Sequence, residues 1–430
     1  MGGVAGHLSH LQENLGFTFG DLKSILSRVA SADIEAVEKV DGQNIFFTFN
    51  AETGQFRAAR NTGDIKSGGM TPDQMTQKFT GHPAEGAFLQ GFAAIEEGVG
   101  SLSADQVEEV FGNDGDVYVN AEIMYPPNPN IINYNGNYLV FHAAERYDRE
   151  GRTVAGGAPG AFSALVAAIE AADLAADERS WKVLGPQLVE LKDISDGSAY
   201  QDFLTALSSA APGASDDMTL GDYVADRLRV GPVGDLPIPV HKQEQLIKRI
   251  VGLNSDVDED KLPKLPDLKK GEPKDIQSRI SKLATKTNSR KSVGSMMTPI
   301  EVAISDFAVE VLRGLGSFFV SEHDEETKRM QKEVQDAAKA IEASRDQKGD
   351  ARREMLDKQM GKLGDLENIA STMEGIVFEE PPGSGQLYKL TGSFAMVNQI
   401  VGGARRIPSP ESQQKESLLR NYIRLAILAG

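Results

Sequence analysis

Cysteine is absent from the 430 residues of the chain. That excludes disulfides, thiolate nucleophiles and cysteine-ligated zinc or iron–sulfur centres, and it suits a reducing compartment. Histidine is scarce, with six residues, and only His7 and His10 lie close together. A His-rich metal site is not expected. No apolar run approaches the roughly 20 residues that a membrane-spanning helix needs. The opening Met1-Gly2-Gly3-Val4-Ala5-Gly6 lacks the basic and apolar regions of a secretory signal. Gly6 stands where a myristoylation signal has Ser or Thr. These absences predict a soluble cytoplasmic protein with no membrane partner.

Positive charge is also short. Lys and Arg number 45 against 63 Asp and Glu, a net charge of −18. Such a chain has no general footprint for nucleic acid. The distribution is uneven. Residues 1–150 carry 9 basic and 21 acidic side chains, a net −12. Residues 269–291 carry Lys269, Lys270, Lys274, Arg279, Lys282, Lys286, Arg290 and Lys291 against Glu272 and Asp275, a net +6. One basic segment in an acidic protein reads first as a solvated linker and second as a place where a polyanion is held.

The length accommodates two or three domains at roughly 150 residues each. Leu22, Ile25, Leu26 and Val29 recur at helical spacing. The period then changes. Ile45-Phe46-Phe47-Thr48-Phe49 and Gln55-Phe56-Arg57-Ala58-Ala59 flank Asn50–Gly54 and predict a hairpin. Two more strands are expected over 116–123 and 138–143, with helix over 84–111. An Ala-rich helix is expected over 161–169. Thr219-Leu220-Gly221-Asp222 reads as a capped helix start. Residues 253–275, with Pro263, Pro266 and Pro273, read as a linker. Thr298-Pro299 reads as a cap followed by proline at the first helical position. The charged stretch 322–370 predicts a long helix or helical hairpin. Strand returns over 375–379 and 386–390, around Pro381-Pro382-Gly383-Ser384-Gly385. An amphipathic helix is expected over 409–428. The fold class this predicts is α+β, one domain interrupted by a large helical insertion.

The stretch richest in chemistry is Glu38-Lys39-Val40-Asp41-Gly42-Gln43-Asn44. It places a lysine at the end of an apolar run and an Asp-Gly turn before a strand. A lysine becomes a nucleophile when its surroundings favour the neutral amine. Alone, Lys-x-Asp-Gly is also the pattern of a solvated lysine at a hairpin turn.

Further motifs follow in order. Lys39-Val40-Asp41-Gly42 resembles the first motif of the covalent nucleotidyltransferases, the ATP-dependent polynucleotide ligases and capping enzymes. Arg60-Asn61-Thr62-Gly63 stands where these ligases place an arginine and a small residue. Ala121-Glu122-Ile123 resembles their strand glutamate. Leu139-Val140-Phe141-His142 resembles the strand whose aromatic residue stacks on the base. Glu374-Gly375-Ile376-Val377-Phe378 resembles their Glu-Gly-apolar-Val motif, and Leu387-Tyr388-Lys389-Leu390 their lysine-bearing strand. The resemblance covers about residues 30–145 and 370–398. Asn44 is similar to nick-sealing and RNA-editing RNA ligases, where DNA ligases have Arg. Asp41 is closer to DNA ligases, since those RNA ligases often have His there. Thr391 replaces the second lysine of the last motif.

The resemblance implies a nucleotidyltransferase core of antiparallel sheets with helices, an ATP-grasp-like ligase architecture. Its N-terminal part would be 1–148 and its C-terminal part 371–430 with a terminal helix. A mostly helical insertion over 149–370 would carry a basic linker near 255–292. The implied cofactors are ATP and Mg2+ or Mn2+. Lys39 would attack the α-phosphate of ATP to give lysyl-AMP. Asp41 and Gly42 would form the turn, Asn44 and Arg60 would contact ribose and phosphate, Glu122 would hold the ribose, and Phe141 would stack on adenine. Glu374, with Glu122, would bind the metal, and Lys389 would neutralise phosphate. The implied partner is a nucleic acid end, RNA ahead of DNA; the resemblance does not extend to the middle of the chain, where the charge pattern offers residues 269–291 as a contact for it and the helical insertion as a protein-binding surface. The alternatives are a DNA ligase and a ligase-like binding or structural protein with degenerate sealing.

Overall fold

Why two sheets meet at Lys39 follows from a three-residue turn. Strand β2 (Ala36–Lys39) ends and β3 (Gln43–Asn50) begins with only Val40-Asp41-Gly42 between them, yet they belong to different sheets. The computed structural model describes residues 8–82, 84–112, 114–125, 134, 136–148, 153–154, 165–166, 175–176, 179–255, 257, 259–266, 274–313, 315, 374–384 and 386–392. Within them lie two open sheets and ten α-helices.

The first sheet runs β1 (Ser9–His10), β12 (Leu387–Leu390), β11 (Gly375–Glu379), β2 and β10 (Leu188–Val189). The second runs β4 (Gln55–Ala59), β3, β5 (Val117–Met124), β6 (Asn137–Tyr147), β9 (Arg179–Leu184) and β8 (Ala175–Ala176), with β7 (Thr153–Val154) also on β6. The β3–β4 hairpin has the register expected from its aromatic alternation, Phe47 opposite Ala58 and Phe49 opposite Phe56. Gly54 takes the positive φ of 63° that the turn needs.

The sheets are not the antiparallel ones expected. β1 runs parallel to β12, and β6 parallel to β9. Parallel neighbours need a long crossover, and the chain between β6 and β9 supplies one. The segment expected to be a helical insertion thus begins with strand. Trp181 and Val183 are buried while Lys182 between them is exposed, a two-residue period overlooked beside the Ala-rich stretch.

Helix α1 (Phe19–Ala30) starts in a capping box. The Thr18 hydroxyl accepts from the Asp21 N–H at 3.0 Å, and the Asp21 carboxylate accepts from the Thr18 N–H at 2.8 Å. Its Leu22, Ile25, Leu26 and Val29 stripe is buried. Helices α2 (Thr62–Lys66), α3 (Pro72–Phe79), α4 (Glu85–Gly100) and α5 (Ala104–Phe111) follow β4, and a core of Ile45, Phe47, Phe88, Phe92, Phe111 and Phe141 joins α4 and α5 to one face of the second sheet.

Helices α6 (Ala199–Ala210), α7 (Leu220–Arg229), α8 (Val240–Gly252), α9 (Lys274–Leu283) and α10 (Lys286–Leu312) share a second core with α1 and with Ile376, Phe378 and Leu390 of the first sheet. Two expectations change here. The basic stretch near 255–292 is helical from residue 274 onward, because Ile276, Ile280 and Ala284 form a buried stripe. Pro299 does not start a helix but lies inside α10, which is capped at Thr285. The buried series Val293, Met297, Ile300 and Ile304 continues through the proline and holds both halves to one core.

The expected helices over 322–370 and 409–428 lie outside the described residues, as does most of 161–169. Among the described residues no helix is long and apolar enough to cross a membrane.

Candidate active site

Lys39 closes β2, and its register partner is Gly375 on β11. The residue before that glycine is Glu374. Its carboxylate accepts from the Lys39 ammonium, Nζ to Oε1, at 2.6 Å, with both side chains largely buried. A side chain at Gly375 would run into the Leu390 carbonyl oxygen. Glycine therefore lets β11 lie close enough to β12 to bring Glu374 to the lysine.

The second sheet contributes from the other side of the turn. Asn44 pairs with Glu122 across β3 and β5, and Glu122 pairs with Val140 across β5 and β6. A Cβ at Gly42 would overlap Cγ of Glu122 and stand 3.0 Å from the Ile123 carbonyl. The turn must carry glycine for the two sheets to approach. Asn44 Nδ2 donates to Asn120 Oδ1 at 2.6 Å. The Asp41 N–H donates to the Tyr134 hydroxyl at 2.9 Å.

His142 was not singled out in the sequence. Its Nε2 lies 3.2 Å from Glu122 Oε2. The register explains how. Asn120 pairs with Ala143 and Ala121 with Phe141, so His142 is the extra residue of a β-bulge. Alternation from Val140, the register partner of Glu122, puts His142 on the Glu122 face, and the register shift of the bulge falls just beyond. The bulge, like Tyr134 and Asn120, carried no motif. Only the polar His142 beside an apolar strand hinted at it.

Phe141 is the one predicted residue that the fold keeps away. It is fully buried on the other face of the sheet, its ring 5.3 Å from that of Phe47. Alternation along β6 that presents Val140 to the Glu122 side turns Phe141 into the core.

The charges govern one another. Burial works to lower the Lys39 ammonium, but Glu374, Glu122 and Asp41 together outweigh it and hold the group above its usual range. Burial pushes Glu374 up to about 7 against the pull of Lys39. Burial works to raise Glu122, but His142 and Lys39 hold it below the usual carboxylate range. Lys389, inside β12 and 6% exposed, is lowered to about 8 by burial and then by Lys39. Arg60 is lowered by burial, with Glu122 and Asp64 opposing. Its guanidinium lies 4.3 Å over the Phe88 ring, and Nη1 is buried without a hydrogen-bond partner.

Two carboxylates and three cations thus face one another from both ends of the chain. The orphaned Nη1 of Arg60 suits an oxygen acceptor such as a phosphate or ribose of ATP. Among the described residues no group of three His, Asp or Glu side chains forms a cage for a metal ion. Glu122 and Glu374 instead fit Mg2+, which binds through one or two carboxylates and completes its shell with phosphate and water. Comparisons with protein-family models, curated proteins and solved structures return no match.

Proposed function

We propose that the chain is an ATP-dependent nucleotidyltransferase of the polynucleotide-ligase type, RNA ahead of DNA, that carries AMP on Lys39. The observation behind this reading is the Lys39–Glu374 pair at 2.6 Å, flanked by Glu122 and Lys389. A lysine, a raised carboxyl and a second buried cation are the parts that attack on a phosphate requires.

At rest Lys39 is an ammonium. Glu374 is the base within reach, and its value near 7 suits proton transfer at neutral pH. The proton moves from Nζ to Glu374, and the freed lone pair attacks the α-phosphorus. The P–N bond forms as the bond to pyrophosphate breaks. The attacking nitrogen sheds its second proton to the departing pyrophosphate, which leaves a P–NH phosphoramidate on Lys39. Lys389 and the unpaired Arg60 N–H face the charge gathering on the phosphate oxygens. A divalent ion held through Glu122 would supply further neutralisation of that charge. The AMP would pass to a 5′-phosphate end, where a 3′-hydroxyl displaces it.

The test is incubation with α-labelled ATP and Mg2+ or Mn2+, followed by denaturing electrophoresis. Label retained by the wild type and lost in Lys39→Ala and Lys39→Arg is expected. Label retained in Lys39→Ala overturns the assignment.

One observation favours a second reading. Thr391 stands where related ligases have a second lysine, and it is buried against Gly375 with its hydroxyl unpaired. A protein that forms the adduct and seals slowly, or not at all, would carry such a replacement.

A further inference from the structure

The chain is acidic, yet one surface is not. Arg279 and Lys282 on α9, and Lys286, Arg290 and Lys291 in the first turns of α10, are all exposed. Between residues 275 and 291 they face a single carboxylate, Asp275, which leaves a net +4. None of the five has an ion-pair partner among the described residues. The apolar stripes of these helices explain the arrangement. Ile276, Ile280, Ala284, Val293 and Met297 turn into the core. The cations are left on the outer faces. A solvated linker would not fix them in place, whereas here they stand on two consecutive helices with buried apolar stripes.

The segment also has a direction. Helix α10 runs on from Lys291 to Glu301, whose charge is felt by Lys389 in the candidate site. Ten residues at about 1.5 Å each separate Lys291 from Glu301 by about 15 Å along the helix. That distance spans about four nucleotides of a strand stacked at about 3.4 Å per step.

We propose that the exposed faces of α9 and the first turns of α10 hold the phosphate backbone of the polynucleotide whose end is presented to Lys39. The identity of the occupant rests on the reading above. The ridge supplies the positive charge that residues 1–150, at a net −12, lack. Phosphate contacts of this kind position a strand without reading its sequence.

The experiment uses the full chain and a short 5′-phosphorylated single-stranded RNA, with binding followed by fluorescence anisotropy across a salt series. One variant carries Arg279→Glu, Lys282→Glu, Lys286→Glu, Arg290→Glu and Lys291→Glu. A control reverses the exposed Lys248, Lys261 and Lys264, which lie on α8 and the stretch after it. The ridge variant should bind at least about tenfold more weakly than wild type. Its log–log salt slope should fall by about 2 or more, since each lost single-strand contact removes about 0.7. The control should bind as wild type does. Equal weakening in ridge variant and control, or an unchanged slope in the ridge variant, overturns the proposal. So does binding of poly-glutamate with no binding of RNA, which would assign the ridge to an acidic protein. The lysyl-AMP assay is run in parallel. Wild-type adduct with an indifferent ridge sinks the ridge alone. Ridge-dependent RNA binding without adduct upholds the ridge and sinks the nucleotidyltransferase reading.

Discussion

His142 lies 3.2 Å from Glu122 on the neighbouring strand, two residues on from Val140, the register partner of Glu122, so alternation puts both on one face of the sheet. The contact holds a largely buried carboxylate in its charged form. Remove the imidazole and Glu122 keeps its burial and loses its first source of support. His142→Ala should therefore lower stability at neutral pH by about 1–3 kcal/mol, the usual cost of an unsatisfied buried group. The pH dependence has a definite sign. Glu122 titrates lower in the folded than in the unfolded protein. Its contribution is present above the unfolded carboxylate range and is lost as pH falls through the folded value. The gap between wild type and His142→Ala in urea unfolding should shrink on acidification. A gap that is the same at acid and neutral pH counts against the contact.

Glu374 faces the Lys39 ammonium and titrates at about 7. If it takes the lysine proton, adduct formation should rise as pH is raised through that value, because only the carboxylate can accept. Glu374→Gln keeps the size and removes the acceptor. It should slow adduct formation by about 10²–10⁴-fold, the range for loss of a general base, and erase the acid limb. Single-turnover rates with α-labelled ATP across pH check both. A limb that persists in Glu374→Gln belongs to another group.

Lys389 lies in a strand, where burial first and Lys39 second push it down to about 8. Its folded value lies below its unfolded one. The charge therefore costs stability below about pH 8, and the cost fades as pH rises toward the unfolded value near 10.4. Lys389→Met should gain about 1–2 kcal/mol at neutral pH, with the shift discounted for partial solvent contact. The gain should vanish in alkali, and adduct formation should fall. Equal stability of the two proteins at neutral pH would mean that Glu13, Glu301 and Glu374 compensate the charge fully.

Much of this site was legible as order along the chain. Lys39, Glu122, Glu374 and Lys389 could be found because each sits at a strand end or within a strand, where a charged residue breaks an apolar pattern. The hairpin and α1 were legible for the same reason, since their partners lie close in sequence. What escaped depends on long-range register. The bulge beside His142, strand β9, the parallel pairings of β6 with β9 and of β1 with β12, and the approach of Tyr134 to the Asp41 backbone are set by packing between distant segments. The helix through Pro299 escaped because a local start signal was outweighed by a buried stripe on both sides of it.

Phe141 gives the sharpest contrast between motif and fold. The motif offers it as the ring that stacks on adenine. The strand turns it into the core, where it is fully buried and tilted against Phe47. The two roles respond differently to the same pair of substitutions. A core ring is filled by volume, so Phe141→Leu should cost little and Phe141→Ala about 3–5 kcal/mol of stability. A stacking ring is needed for its π face, so both changes would weaken ATP binding. The structure favours the first pattern. Phe141→Leu should retain wild-type adduct yield at limiting ATP while Phe141→Ala unfolds at lower urea. Calorimetric titration of ATP against the Leu variant, alongside urea unfolding of both, separates the roles. ATP affinity lost in Phe141→Leu with stability unchanged would return the ring to the nucleotide site, and would require β6 to rotate there when ATP binds.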